Sequence, residues 1–178
     1  MPREIKLYRS HGDGTFHRGQ FRTIGEHVIF EEGVLVFHPE TISLGHNLYI
    51  GHGAILKGYH NSRMEIGDNS WIGQQVFIHS GGGVTIGKSV GVGPAVKILT
   101  SRHAEEGIEI PILLSRIEVL PVVIEDDCDL GVGSIILPGV TLGRGTQVGA
   151  GAVVTRSTPP WSVVAGVPAR VLRSRVKS

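Results

Sequence analysis

His103 is the residue of this sequence with the clearest potential for catalysis. It ends the segment 98–103, which reads ILTSRH. A neutral imidazole, with a pKa of about 6.5, can take a proton from a hydroxyl or ammonium group near neutral pH without help from a metal. Glu105 and Glu106 follow closely and could hold the second ring nitrogen, or they could form a solvated acidic pair. His103 is therefore a candidate general base, with a solvated loop histidine as the alternative.

The elements that carry His103 follow from a period of six residues. Six positions are three strand steps, so this period indicates a short strand and a turn repeated three times per coil, and not an α-helix with 3.6 residues per turn. The predicted fold class is therefore all-β. Eighteen positions with this spacing are all apolar: Ile24, Phe30, Val36, Leu44, Ile50, Leu56, Ile66, Ile72, Ile78, Ile86, Val92, Ile98, Ile124, Leu130, Ile136, Leu142, Val148 and Val154.

Three repeats close one triangular coil of about eighteen residues. The chain therefore contains about six coils, which stack into a parallel β-helix roughly 29 Å long at about 4.8 Å per coil. Glycine often follows the aliphatic residue, as at Gly45 and Gly131, where a tight corner could require positive φ. We expect a short N-terminal segment at 1–23, the β-helix at 24–165 and a C-terminal helix within 166–178.

The interruptions of the repeat all follow the third strand of a coil. They comprise the segments 60–65 and 80–83 and a long excursion over 100–121. Because inserts in a solenoid collect as loops on one side, one edge of the prism is predicted to be specialised.

Three polar side chains on this edge are candidates for binding an acceptor beside His103. His79 occupies the edge one coil earlier, and Arg102 and Glu105 flank the candidate base. For His79, an ordinary surface histidine is an equally good interpretation.

The excursion over 100–121 also indicates that the protein forms an oligomer. Its apolar residues, too many for a free solvated loop, are Ile108, Ile110, Pro111, Ile112, Leu113, Leu114, Ile117 and Leu120. Because the β-helix is already filled from inside, we expect this excursion to cover a neighbouring subunit of a cyclic trimer and to complete the acceptor pocket beside His103.

Composition argues against several classes of partner. A net charge of +1 and a pI near 8.0 argue against recognition of nucleic acid or membrane by bulk charge. The single cysteine, Cys128, excludes an intrachain disulfide, and its inward position predicts a small core residue. The sequence has no recognisable signal peptide or long apolar span, so we expect a cytoplasmic protein without membrane insertion.

Several segments resemble the hexapeptide-repeat acetyltransferases, which include galactoside, maltose, xenobiotic and surface-polysaccharide acetyltransferases. The resemblance covers about residues 24–173. The segments that carry it read VGP at 92–94, ILTSRH at 98–103, IILPGVTLG at 135–143, VGAGAVVT at 148–155 and AGVPARVLR at 165–173.

This resemblance implies a left-handed parallel β-helix, a homotrimer with active sites between subunits, and acetyl-CoA as the donor. It assigns His103 as the general base that deprotonates the acceptor for direct attack on the thioester. It also implies that CoA lies along the C-terminal coils and that no metal takes part. The matching CoA positions are Gly131, Ala150, Thr155, Arg170 and Arg173. The two arginines could bind phosphates, or they could belong to a solvated basic tail.

The sequence says less about the identity of the acceptor than about the donor. Gly73 stands where the galactoside enzyme carries a substrate-binding asparagine, so a simple galactoside is not expected. The segment 78–83, IHSGGG, is more similar to polysaccharide-biosynthesis members of the family. This similarity favours a sugar hydroxyl or amino group, on a nucleotide-linked or a lipid-linked sugar. A xenobiotic acetyltransferase is the alternative within the family.

Two alternatives lie outside acetyl transfer. A γ-class carbonic anhydrase shares the β-helix and binds zinc or iron through three histidines. However, His46 and His52 are six positions apart and therefore lie on different faces. A scaffold that has lost catalysis is the second alternative, and the intact motif at His103 argues against it.

Overall fold

The computed structural model describes residues 10–176, so residues 1–9 of the predicted N-terminal segment and residues 177–178 lie outside it. Short strands form three sheets that are the faces of one prism. The described range contains no α-helix, and none of its helical turns is long and apolar enough to span a membrane. Its three short 3₁₀ helices are Arg18–Gln20, Pro39–Thr41 and Ile112–Leu114.

In each face, strands of successive coils pair in parallel. The first face consists of Thr23–Ile24, Ile42–Leu44, Met64–Ile66, Val84–Ile86, Val122–Ile124 and Thr141–Leu142. The second consists of Val28–Phe30, Leu48–Ile50, Trp71–Ile72, Gly91–Val92, Asp129–Leu130, Gln147–Val148, Ser162–Gly166 and Ala169–Ser174. The third consists of Leu35–Phe37, Ile55–Lys57, Phe77–His79, Lys97–Ile98, Ile135–Ile136 and Val153–Val154. A separate antiparallel pair, Ser101–His103 with Ile117–Val119, belongs to the excursion over 100–121, called the arm below.

The register confirms the predicted position of each apolar residue. On the second face, Ile50 pairs with Ile72, Ile72 with Val92, and Val92 with Leu130. These four side chains are at most 1% exposed. The six-residue period therefore identifies both the residues that fill the core and the coil to which each belongs.

The glycines after the aliphatic residues serve close packing, and the expectation that they need positive φ is wrong. A Cβ on Gly131 would lie 2.5 Å from the backbone nitrogen of Ala150 in the next coil. Positive φ occurs two residues later in the repeat, for example at Gly133 and Asn47. Glycine is thus required where one coil lies directly on another, because no side chain fits between them.

A partial seventh coil follows the six that were predicted. Thr158 bridges to Leu142, and the strand Ser162–Gly166 pairs in parallel with Gln147–Val148. The Pro-Pro pair at 159–160 interrupts the six-residue period here. Periodicity alone therefore could not reveal this coil.

The C-terminal helix expected within 166–178 is wrong for residues 169–174. These residues form the strand Ala169–Ser174, which pairs antiparallel with Ser162–Gly166. Without it the last coil would end in a row of unpaired N–H and C=O groups. The added strand supplies partners for that edge, which a helix could not do.

Residues 10–22 close the opposite end of the β-helix. The rings of Phe16 and Phe21 pack on Phe30, with centroid distances of 4.9 and 5.6 Å. The carbonyl of Gly14 accepts a hydrogen bond from the N–H of Val36 at 2.9 Å. This segment therefore covers the core of the first coil and lies along its third strand.

Candidate active site

His103 lies on a strand, whereas a loop was expected. The strand Ser101–His103 pairs antiparallel with Ile117–Val119. Beyond it, the N–H of Ala104 donates to the carbonyl of Arg116 at 2.8 Å. The base of the arm is thus a β-hairpin, because its backbone groups pair with each other instead of with solvent. This pairing holds His103 in a defined place.

The Nδ1 atom of the His103 ring is buried and has no hydrogen-bond partner among residues 10–176. The two glutamates considered as partners do not hold it. Glu106 accepts a hydrogen bond from the backbone N–H of Arg116 at 3.1 Å, and Glu105 is exposed. A buried polar atom without a partner costs free energy. A group from outside this chain that bonded to Nδ1 would therefore be stabilising.

Arg102 forms an ion pair at the surface of the arm. Its Nε donates to Oε2 of Glu118 at 3.0 Å, and Nη2 of Arg116 donates to Oε1 of Glu118 at 3.2 Å. The hydrogen bond from Arg102 is the largest cause of the lowered pKa of Glu118. Both arginines are largely exposed, so these pairs contribute little to stability. Acceptor binding by Arg102 and Glu105 stays a prediction.

His79 is held in a hydrogen-bond network below the arm. Its Nε2 lies 2.8 Å from the hydroxyl of Tyr59, and its Nδ1 lies 3.3 Å from Oγ1 of Thr100. Thr100 donates its hydroxyl hydrogen to the carbonyl of His79 at 2.7 Å. Nδ1 must therefore be the donor to Thr100, and Nε2 accepts from Tyr59. Because both ring nitrogens have partners, direct binding of an acceptor by His79 would require one of these bonds to open.

Burial and charge keep the imidazole of His79 neutral. Burial lowers the pKa of His79 below 6.5, and the positive charge of Lys57 lowers it further. Burial also raises the pKa of Tyr59 above 10.0, so its hydroxyl keeps the hydrogen that it donates. The network is therefore uncharged at neutral pH.

We expect the lowered pKa of His79 to weaken the fold in acid. The folded chain binds a proton at His79 less readily than the unfolded chain, so the free energy of unfolding falls as the pH drops below about 6.5. His79→Gln should remove part of this fall, measured by urea unfolding at about pH 8 and about pH 5. His27→Gln, at an exposed corner, should leave the fall unchanged. An equal fall in the wild type and His79→Gln would contradict the assignment.

The same network fixes the root of the arm. Oγ1 of Thr100 accepts the N–H of Gly82 at 2.9 Å, and the carbonyl of Thr100 accepts the N–H of Leu120 at 2.9 Å. A Cβ on Gly82 would lie 2.7 Å from the carbonyl oxygen of Leu120. Glycine at this position therefore lets the two ends of the arm close against the insert 80–83.

Tyr59 and Thr100 were not identified from the sequence as parts of the site. Tyr59 directly precedes the insert 60–65 that follows the third strand of the second coil, and Thr100 is the first residue of the arm. The one available signal was their position on the specialised edge. The structure brings both onto the ring of His79 and so connects this ring to the strand of His103.

The predicted CoA positions lie on the C-terminal coils. Gly131 and Ala150 adjoin at one corner, and both Ala150 and Thr155 are exposed. Arg170 and Arg173 are exposed on the C-terminal strand, and their recorded hydrogen bonds reach only neighbouring backbone carbonyls. Both guanidinium groups are thus accessible to an anion, and their role toward CoA stays a prediction.

The histidines do not form a metal site within the described range. No group of three or more His, Cys, Asp or Glu side chains there is arranged to hold a metal ion. Nδ1 of His46 accepts the N–H of Glu26 at 3.1 Å, and Nε2 of His52 lies 3.4 Å from Glu31 at another corner. The three-histidine arrangement of a γ-class carbonic anhydrase is therefore not found among these residues.

Comparisons with known proteins agree with this architecture. A family model described as the hexapeptide repeat of succinyl-transferase matches residues 121–156, which span the fifth and sixth coils. A variant of AntD, an N-acyltransferase from Bacillus cereus solved with dTDP and coenzyme A, has a TM-score of 0.79 and 25% identity. The match covers 89% of this chain and 87% of AntD. This chain therefore contains the hexapeptide repeat, and its fold is similar to that of an N-acyltransferase. Its β-helix matches the left-handed type that the sequence resemblance implied.

A second solved structure and the curated relatives agree. The hexapeptide-repeat acetyltransferase VCA0836 of Vibrio cholerae, solved with acetyl coenzyme A, has a TM-score of 0.61 and 26% identity, over 90% of this chain and 74% of VCA0836. WcaF of Escherichia coli, which carries the provisional name of a colanic acid biosynthesis acetyltransferase, is 33% identical over 116 residues. These residues are 65% of this chain and 61% of WcaF. The chain thus spans less than two thirds of the length of the curated relatives that it matches.

Proposed function

We propose that this protein transfers an acetyl group from acetyl-CoA to a hydroxyl or amino group of a sugar, with His103 as the general base. The observation that carries the proposal is the place of His103, on a paired strand at the specialised edge of a hexapeptide β-helix. The similarity to AntD, an N-acyltransferase that binds dTDP and coenzyme A, supports acyl transfer from CoA. The similarity to WcaF supports a sugar acceptor.

The proposed reaction needs no group other than the imidazole to move the proton. His103 accepts the proton of the acceptor while the acceptor oxygen or nitrogen attacks the thioester carbonyl carbon. A new C–O or C–N bond forms, and a backbone N–H stabilises the tetrahedral oxyanion. The C–S bond then breaks, and His103 returns the proton to the departing sulfur of CoA. The products are the acetylated sugar and free CoA, and the imidazole is again neutral.

Release of the free CoA thiol tests this function. Acetyl-CoA is incubated with the protein and with amino sugars, neutral sugars, nucleotide sugars or antibiotics, one class at a time. Thiol release with a sugar class supports the proposal, and release with antibiotics alone supports a xenobiotic acetyltransferase. Release with none of these acceptors contradicts the proposed acetyl transfer.

Arg170→Ala and Arg173→Ala are each expected to weaken binding of acetyl-CoA more than binding of the acceptor. Loss of one charge-assisted hydrogen bond to a phosphate costs roughly 1.5–3 kcal/mol when the contact is partly desolvated. The KM for acetyl-CoA should therefore rise about tenfold or more, as steady-state kinetics would show. Arg22→Ala, at an exposed site near the other end, should change neither KM. Equal losses for both substrates would indicate a misfolded C-terminal strand instead.

We further infer that the active protein is a cyclic trimer in which the arm covers a neighbouring subunit. Within one chain, Ile108 is 96% exposed, and Ile112 and Leu113 are each 53% exposed. Apolar side chains gathered on one projecting hairpin favour contact with another protein surface.

A further inference from the structure

A cavity lies at the N-terminal end of the edge that carries the arm. Its volume is about 390 Å³, and it is bounded by residues 11–15, Gln20 and residues 36–40. Among its apolar lining residues, Phe37 and Pro39 are partly exposed, whereas Val36 is buried in the core. The segment 11–15 lies on one side and the start of the 3₁₀ helix Pro39–Thr41 lies on the other. The proposed chemistry at His103 does not involve this cavity.

Hydrogen bonds hold both sides of the cavity in place. Thr15 donates its N–H and its hydroxyl to Oδ1 of Asp13, at 2.9 and 2.8 Å. On the other side, Nδ1 of His38 lies 2.9 Å from Oε1 of Glu40. Gly14 lies so close to the third strand that a Cβ there would be 2.8 Å from the Cβ of Leu35. Within the described chain, each carboxylate uses one oxygen in these bonds, which leaves the other for a ligand.

The two carboxylates of the cavity, Asp13 and Glu40, determine which ligands it can bind. The backbone hydrogen bond from Thr15, followed by that from its hydroxyl, lowers the pKa of Asp13. At Glu40 burial opposes the shift, but the hydrogen bond from His38 prevails and lowers the pKa. Both carboxylates are therefore negative at neutral pH, so they repel a phosphate and accept hydrogen bonds from hydroxyl or ammonium groups. The ring of Phe37 adds an apolar surface suited to the C–H face of a sugar ring.

Strand register relates the cavity to the arm. Phe37 pairs with Lys57, Lys57 pairs with His79, and Leu99 lies one coil beyond His79. At about 4.8 Å per coil, the cavity is roughly 14 Å from the root of the arm along the same edge. This separation is greater than the width of one sugar ring, so a single sugar unit cannot occupy both places.

A row of aromatic rings lies along this edge between the cavity and the arm. The ring of His11, which borders the cavity, is 6.4 Å from the ring of Tyr59, centroid to centroid. The ring of Tyr59 is in turn 4.9 Å from the ring of His79, below the arm. Sugar rings commonly pack on such apolar and aromatic surfaces while their hydroxyls bond to polar groups at the side.

We infer that the cavity binds a distal unit of an oligosaccharide acceptor whose reacting unit lies beside His103. This inference rests on the proposed acetyl transfer and specifies its substrate as a chain of several sugar units. A neutral or amino sugar fits the two carboxylates, Asp13 and Glu40, at the distal end. The acceptor chain then runs along the coils before the arm, while the predicted CoA positions lie on the coils after it.

Glucosamine and its β-1,4-linked oligomers provide a graded probe. The kcat/KM for acetyl transfer and the dissociation constant from calorimetry are measured for the monomer and for chains of two, three and four units. With the wild type, the longest chain should exceed the monomer about tenfold in kcat/KM, with a matching gain in affinity. Glu40→Gln and Asp13→Asn should each bring the ratio of longest chain to monomer close to one. Glu32→Gln removes an exposed carboxylate from the same coil outside the cavity and should keep the wild-type ratio.

The outcomes separate this inference from the proposed function. Transfer to the monomer without any gain for longer chains overturns the oligosaccharide site and leaves the acetyl transfer standing. If kcat/KM still rises with chain length in both Glu40→Gln and Asp13→Asn, the assignment of the distal site to this cavity is overturned. Length-dependent binding that Glu40→Gln removes, without transfer to any chain or to any acceptor class of the thiol-release test, supports the site and overturns the function. The absence of both length-dependent binding and transfer to any of these acceptors overturns both. Thermal melting checks the fold of each variant, and the wild-type length series decides the matter if a variant is unfolded.

Discussion

His103→Ala is expected to lower kcat for acetyl transfer by a factor of about 10²–10⁴, because a positioned general base contributes about that much. The imidazole takes no part in the backbone pairing of the strand Ser101–His103, so the arm and the coils should stay folded. The KM for acetyl-CoA should change little, since the proton transfer is separate from the binding of the donor. Steady-state kinetics with both substrates varied would measure these effects.

His52→Ala is the matched control for this variant. It also removes an imidazole, from an exposed corner of the second coil, and should keep wild-type turnover. Near-wild-type turnover of His103→Ala would rule out the general-base assignment.

Charges placed on the arm are expected to dissociate the protein and to remove most of its activity. Ile112→Asp combined with Leu113→Asp introduces carboxylates at positions that are each 53% exposed within one chain, so the core of the chain is not disturbed. An unpaired charge buried between subunits costs several kcal/mol. Sedimentation should therefore show a mass of 19.1 kDa instead of three times that value. The kcat/KM should fall about 10²-fold or more, because the acceptor pocket would lose the surface that positions its substrate.

Glu109→Gln is the control for the arm variant. It changes an exposed charge on the same segment without adding one and should preserve both mass and activity. A wild-type protein that is active at 19.1 kDa would contradict the trimer. Retained activity in a dissociated double variant would contradict a role for the neighbour in the acceptor pocket.

The coils could be predicted because strand stacking makes the pattern strictly repetitive. Each inward position of the repeat, such as that of Ile72 or Leu130, must carry an apolar residue, because its side chain packs in the core on the equivalent side chain of the neighbouring coil. The ends could not be predicted in the same way. The seventh coil begins where the Pro-Pro pair at 159–160 breaks the period. The strand Ala169–Ser174 forms because of an unpaired sheet edge, and a local sequence pattern cannot reveal such an edge.

In the candidate site, too, the sequence reveals a local motif but not the contacts between residues that are far apart in the chain. His103 could be identified from the sequence because it stands in an insert within a recognisable motif. Its support could not, because Tyr59 and Thr100 contact His79 across sequence separations of 20 and 21 residues. Likewise, the sequence shows a glycine at position 131 of the repeat, but the reason that only glycine fits there is the backbone of the next coil, which lies too close for a side chain.

The stacking of coils also determines where the molecule opens first. Within each face, an interior strand pairs with the coil before it and the coil after it, so stability is approximately a sum over neighbouring coils. An end coil has one such neighbour and a central coil has two, and opening should therefore begin at the ends. The arm is rooted between the fourth coil, 84–98, and the fifth, 122–136. Amide hydrogen exchange should consequently be slowest in the fourth coil, which is the central one, so that His103 is held in place after the ends have begun to fray.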